Sequence, residues 1–148
     1  MDNFTVTLKI LIDILEKKQA ALENVLNITQ NQETILQSPP SVERSTFFIQ
    51  CNAEKQNLID RVKEYDEMFQ GFFDQAKGDL HEKAHDDDNK PLIIRLQALI
   101  SQVVEQDVQI RAQERKNIGL LTPRRSPRPQ TAAYRSQALG ELNKHKKI

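Results

Sequence analysis

Apolar residues recur at alternating steps of three and four along residues 43–85: Phe48, Cys51, Leu58, Val62, Tyr65, Phe69, Phe72, Ala76 and Leu80. Lys55 is the one polar residue in that series. The spacing puts these side chains on one stripe of a helix and leaves Asp, Glu, Lys and Arg for the other faces. A helix of about 40 residues is about 60 Å long and cannot bury such a stripe against itself. Five of the six Phe lie here. The stretch is therefore expected to be the central helix, with a partner helix on each side.

A first helix is predicted over residues 3–37. Leu8, Leu15, Leu22, Thr29 and Leu36 share one heptad line, and Leu11/Ile12 with Val25/Leu26 share the neighbouring one. Lys17-Lys18-Gln19 weakens one core layer, and residues 27–32 are almost wholly amide and hydroxyl. Ser38-Pro39-Pro40-Ser41 ends this helix, because the residue before a proline avoids the α region and proline donates no N–H. Ser41 is placed to cap the second helix.

In the second helix, Gly71 and Gly78 suggest a bend or a close approach by another helix. The acidic run Asp86-Asp87-Asp88-Asn89 disfavours its C-terminus and favours the start of the next helix. That third helix is predicted over residues 91–117, with Leu92/Ile93, Leu96, Leu99/Ile100, Val103/Val104 and Ile110 as its stripe. Leu58, Val62, Phe69, Leu96, Ile100 and Val103 are expected to share one core.

After Gly119 the pattern stops. Residues 120–129, LLTPRRSPRP, read as an extended linker carrying Arg124, Arg125 and Arg128. A last element over residues 131–144 has Ala133, Tyr134, Ala138, Leu139 and Leu142 on one side. A helix this short is marginal alone in water, so it reads as a segment ordered on binding. The expected fold is all-α: an elongated antiparallel three-helix bundle or coiled coil over residues 1–118. A flexible basic tail over residues 119–148 carries the short amphipathic helix, is disordered when free, and binds a partner through Tyr134, Ala138, Leu139 and Leu142.

Composition sharpens this picture. With 38% hydrophobic and 28% charged residues among 148, the chain suits thin, solvent-washed helices better than a thick core. The net charge of zero conceals a division. From Gly119 onward, seven Lys or Arg face one acid, Glu141, for +6, which leaves −6 for the rest. Such asymmetry marks an interaction segment. A single cysteine, Cys51, excludes an internal disulfide and suits a reducing compartment. No stretch reads as a secretory signal or a membrane span, so a soluble cytoplasmic protein without membrane insertion is expected.

Two motifs carry chemistry on paper. His81-Glu82-Lys83-Ala84-His85 fits H-E-x-x-H, in which two histidines four apart on a helix share a zinc ion. No third ligand follows, Lys83 sets a cation beside the pair, and the acidic run ends the helix. A surface helix end is the better reading. Thr122-Pro123-Arg124-Arg125 and Ser126-Pro127-Arg128-Pro129 resemble short Ser/Thr-Pro-basic repeats that lie in DNA minor grooves. Two copies, one imperfect, do not make nucleic acid the expected partner. No phosphate loop or nucleophile–base set is present, so no enzyme activity, cofactor or small-molecule substrate is expected.

With three amphipathic helices and a detached tail, the chain resembles the flagellar export chaperones of the FlgN type. Gln19-Ala20-Ala21-Leu22 resembles the family's opening helix. Glu54-Lys55-Gln56-Asn57-Leu58-Ile59-Asp60 followed by Asp66-Glu67-Met68-Phe69 resembles the KQ-x-L-I … D-x-x-F pattern of Gram-positive members. Leu96-Gln97-Ala98-Leu99-Ile100 with Glu114-Arg115-Lys116-Asn117 resembles their third helix, and Tyr134 the tail tyrosine. The Pro-Pro break and the TPRRSPRP linker depart from the family pattern. The resemblance implies a cytoplasmic, non-enzymatic chaperone that binds hook–filament junction (hook-associated) proteins and delivers them to the flagellar type III export gate. The alternative is a coiled-coil architectural or adaptor protein whose basic tail binds nucleic acid or another anionic partner.

Overall fold

A computed structural model describes residues 3–121, which form helices and the turns between them, with no strand among them. Helix α1 spans Asn3–Gln37, α2 Val42–Ala76, α3 Leu80–Lys83 and α4 Lys90–Leu121. Helix α1 packs along both α2 and α4, while α2 and α4 meet each other little. Contacts at successive heights give the directions. Lys18 meets Asp66 and Gln32 meets Asn52, so α2 runs antiparallel to α1. Thr5 meets Asn89, Gln19 meets Gln102 and Thr29 meets Asn117, so α4 runs parallel to it.

The central element is therefore α1, not the aromatic stretch in α2. Ten residues of α1 are buried, among them Phe4, Leu8, Leu11, Leu15, Leu22 and Val25. In α2 only Lys55, Val62 and Ala76 are. Phe48, Cys51, Leu58, Tyr65, Phe69, Phe72 and Leu80 are half-buried, because one side of their stripe meets α1 and the other meets solvent. Length and aromatic content drew attention to α2. What decides burial is the width of the apolar arc, which is greater in α1 and is covered from two directions.

The expected single core is divided in two. Phe4, Leu8, Leu11 and Leu15 pack with Ala76, Leu96 and Leu99, with Phe69, Phe72 and Phe73 at the edge. Ala21, Leu22 and Val25 pack with Val62, Val103 and Ile110, with Leu58 and Tyr65 at the edge. The polar residues at positions 17–19 separate the clusters, as their sequence implies. Lys18 Nζ reaches Asp66 Oδ1 at 2.6 Å and Gln19 Nε2 donates to Gln102 Oε1 at 2.8 Å. Ile100 leaves the core altogether at 40% exposed, beside a fully buried Leu99. Adjacent residues on a helix stand 100° apart, and α1 takes only the Leu99 side.

The ends also differ from expectation. Helix α2 stops at Ala76, its last buried residue, rather than continuing through residue 85. Lys77, Gly78 and Asp79 turn the chain into the short α3. A Cβ on Gly71 or Gly78 would meet nothing within 4 Å, so neither glycine serves a close approach. Helix α4 runs past Asn117 through Gly119, Leu120 and Leu121, which places two residues of the expected linker in the helix. One glycine costs only about 1 kcal/mol, and Ile118, 3% exposed, anchors that turn beyond the expected last anchor, Ile110.

The Pro-Pro hairpin forms as predicted. Ser41 Oγ accepts from the Arg44 N–H at 3.0 Å, and Arg44 Nη2 returns to the Leu36 carbonyl at 3.1 Å. One residue thereby uses the cap of α2 and satisfies a terminal carbonyl of α1. At the opposite end, Asn89, 2% exposed, accepts from Thr5 Oγ1 at 2.7 Å and donates to the Lys83 carbonyl at 2.9 Å. It ties the α3–α4 connection to the first turn of α1.

Leu99→Ala should cost about 2–5 kcal/mol in urea unfolding. Ile100→Ala should cost less than about 1 kcal/mol, as expected of a surface substitution. Equal losses would mean that the buried face of α4 has been wrongly identified.

Candidate functional site

The residues expected to bind a partner, Tyr134, Ala138, Leu139 and Leu142, lie outside the described residues, as do Arg124, Arg125 and Arg128. Two features stand out in the rest: a buried polar layer, and an apolar trough one helical turn or two away from it.

The polar layer grows from the amide-rich turn of α1 and the one polar slot of the α2 stripe. Lys55 Nζ donates to Gln32 Oε1 at 2.7 Å and approaches Glu114 Oε1 at 3.3 Å. The side chains of Lys55 and Glu114 are only 10% and 9% exposed. Gln32 Nε2 donates to Asn52 Oδ1 at 2.6 Å. Asn117 Nδ2 donates to the Thr29 carbonyl at 2.8 Å, and Thr29 Oγ1 to the Val25 carbonyl at 2.6 Å. On its rim Gln113 Nε2 bridges Glu33 Oε2 at 2.9 Å and Asn117 Oδ1 at 3.1 Å, while Lys116 Nζ meets Glu33 Oε1 at 3.0 Å. The Gln113 hydrogen bond, then Lys116, holds the Glu33 carboxyl below the usual glutamate range.

All three long helices contribute to this layer. Taking Lys55 and Glu114 out of water is costly, and a shaped apolar triplet would serve stability as well or better. What the layer supplies is register. A slip by one turn, about 5.4 Å, breaks these bonds and leaves buried polar groups unmatched. From sequence, residues 27–32 read as a weak, bendable layer. Lys55 was visible as an exception, but its partner 59 residues away was not.

The trough opens where α2 and α4 diverge over α1. Leu22 and Val62 lie at its base with Val103, while Val104 and Val108 form one wall. Lys18, Asp66 and Asp107 stand on its rim, and its volume is about 180 Å³. Val104 and Val108 are 58% and 52% exposed. With Ile100 they form an uncovered i, i+4, i+8 stripe on α4. No residue pattern foretells this, since adjacent apolar pairs do not say which member faces inward. A second, wider hollow of about 430 Å³ between α1 and α2 is lined mostly by polar groups, including Asn24, Asn27, Glu54, Asn57 and Arg61.

The H-E-x-x-H pattern does not form one helix face. Helix α3 ends at Lys83, so His85 falls in the following turn, and both histidines are exposed. Among the described residues no three His, Cys, Asp or Glu are grouped to hold a metal ion. The Cys51 thiol is half-buried, and burial followed by the nearby Glu54 raises its pKa, which keeps it protonated and slow to react. No described helix is long and apolar enough to cross a membrane.

Glu114→Leu removes the carboxylate while the Lys55 ammonium stays buried, and should cost about 3–5 kcal/mol. Adding Lys55→Met should recover most of that loss in urea unfolding; a double variant as unstable as the single would show that the charge pair is not the cause. Because the Glu33 pKa is lowered on folding, its contribution is present above the ordinary value of 4.5 and lost as pH falls through the lowered one. Thermal midpoints should thus fall less steeply on acidification in Glu33→Gln than in the parent, and parallel curves would refute this linkage.

No family model, curated protein or solved structure matches the chain.

Proposed function

We propose that the chain is a cytoplasmic, non-enzymatic export chaperone of the FlgN type. It sequesters an amphipathic helix of a hook–filament junction protein and delivers that protein to the flagellar type III export gate. In this reading the three long helices form an elongated bundle that serves as a rigid stem, and residues 122–148 form a flexible basic arm. Tyr134, Ala138, Leu139 and Leu142 grip the partner, while Arg124, Arg125 and Arg128 lie on the linker that joins that face to the stem. The observation that carries it is a structural feature joined to a sequence pattern. The described helical stem runs to Leu121, and the sequence after it is basic with apolar residues at helical spacing. A protein whose assembly depends on sticky terminal helices is kept apart by covering them in this way, by helix-in-groove contact. Ordering on contact lowers the net affinity, which suits a partner that must later be released. The family assignment itself rests on the sequence resemblance.

The +6 charge of the tail supports a second reading, an adaptor that touches nucleic acid or another anionic surface.

Deleting residues 122–148 should leave a helical, soluble protein by circular dichroism. Its retention of a purified hook-associated protein on size-exclusion chromatography should fall at least tenfold. Leu139→Ser with Leu142→Ser should act alike. Full retention by the truncated chain would move the binding site onto the stem. Salt-sensitive retention of duplex DNA, with none of the junction protein, would select the adaptor.

A further inference from the structure

We infer that the trough between α2 and α4 is a docking site for the chain's own segment 131–144, which lies antiparallel along α4 as an added helix. The spacing of the two apolar series matches. Ile100, Val104 and Val108 stand at i, i+4, i+8 and are 40%, 58% and 52% exposed. Tyr134, Ala138 and Leu142 stand at the same spacing, with Leu139 beside them. Each series is about 12 Å long at 1.5 Å per helical residue.

The tether reaches. Helix α4 ends at Leu121, thirteen residues beyond Val108 and so about 20 Å from it along the helix axis. Residues 122–133 span up to about 40 Å when extended, enough to turn back and set Tyr134 beside Val108. The prolines at 123, 127 and 129 favour such an extended connection.

Charge favours the same pairing. Segment 131–144 carries Arg135 and Lys144 against Glu141, within a tail of +6 that faces a remainder of −6, and Asp66 and Asp107 stand on the trough's rim. Both acids already meet cations, Lys18 at 2.6 Å and Arg111 at 3.1 Å. Those pairs are partly exposed, and pairs of that kind contribute about 0–1 kcal/mol each, so they yield readily to a new neighbour.

A second copy of the chain could offer the same apolar spacing. A segment on a twelve-residue tether, however, is present at an effective concentration in the millimolar range, which a separate molecule does not reach at micromolar protein. Docking of this kind covers the stripe on α4 and the apolar face of the tail together. It holds whatever the protein's partner is, and it implies that a partner gripping Leu139 must first displace the segment from its own stem.

Disulfide trapping tests this on the full chain. Cys51→Ser with Val104→Cys and Ala138→Cys places one thiol on the stripe and one on the segment. Val104 is an exposed residue, so the core is not disturbed. The control replaces Asn24 instead of Val104, in the hollow between α1 and α2. Asn24 stands two residues from Leu22 and so about 200° around the helix from the trough. With oxidised glutathione at micromolar protein, the Val104/Ala138 pair should close within one chain at least tenfold faster than the control. Its rate should not change with protein concentration. Equal rates in the two proteins would overturn the proposal. Disulfide-linked dimers whose formation rises with concentration would assign the trough to a second copy and overturn it equally. Because the readout needs no partner, it stands apart from the junction-protein assay: trapping without retention would sink the chaperone reading alone, and retention without trapping would sink this one.

Discussion

The fold depends on one constraint: α1 carries an apolar arc too wide for a single neighbour to cover. Phe4, Leu8, Leu11, Leu15, Leu22 and Val25 are each below 5% exposed, and helices packed on two sides bring this about. At about 25 cal/mol per Å² of apolar surface, burying each large side chain contributes about 1.5–3 kcal/mol. The flanking helices gain most by facing α1 and little by facing each other. Their divergence follows directly, and so does the trough between them.

Along this shared helix the stability is uneven. Two apolar clusters are separated by the Lys18 and Gln19 contacts, and the second is closed off by the Lys55–Gln32–Glu114 layer. The apolar clusters supply free energy without specifying alignment, because one apolar side chain substitutes for another after a slip. The polar layer contributes less and specifies more. A long helical stem needs both, since amphipathic repeats alone permit several registers of similar energy.

Much of this could be read from the residues. The helices, the Pro-Pro hairpin with its Ser41 cap and the weak layer at positions 17–19 all follow from local rules that act within a few residues. The hierarchy among the helices did not. Phe47, Phe48, Phe69, Phe72 and Phe73 made α2 look central, yet Phe47 is 54% exposed and the others are half-buried. Aromatic content measures what a residue can bury, whereas burial is set by how many helices surround it. The choice of Leu99 over Ile100 and of Val103 over Val104 was hidden for a related reason, since it depends on where α1 lies. Glu114 as the companion of Lys55 is a tertiary fact with no local trace. The short α3 and the buried Asn89 were missed because a helical stripe can be continued on paper through a turn that the chain takes for want of anything to pack against.

The parallel course of α1 and α4 has an electrical consequence. Both helices end on the same side of the molecule, at Gln37 and Leu121, and neither has a basic residue in its last turn. The partial charge at each helix C-terminus is roughly −0.5 of an elementary charge. The start of α2, with Ser41 as its cap, lies against the end of α1 and offsets one of these. The last carbonyls of α4 make a second negative pole, with no basic residue in the final turn. The first cations to follow are Arg124 and Arg125, three and four residues on. A pole of this kind attracts cations whatever acids stand on the surface. It acts within about one helical turn and fades with added salt.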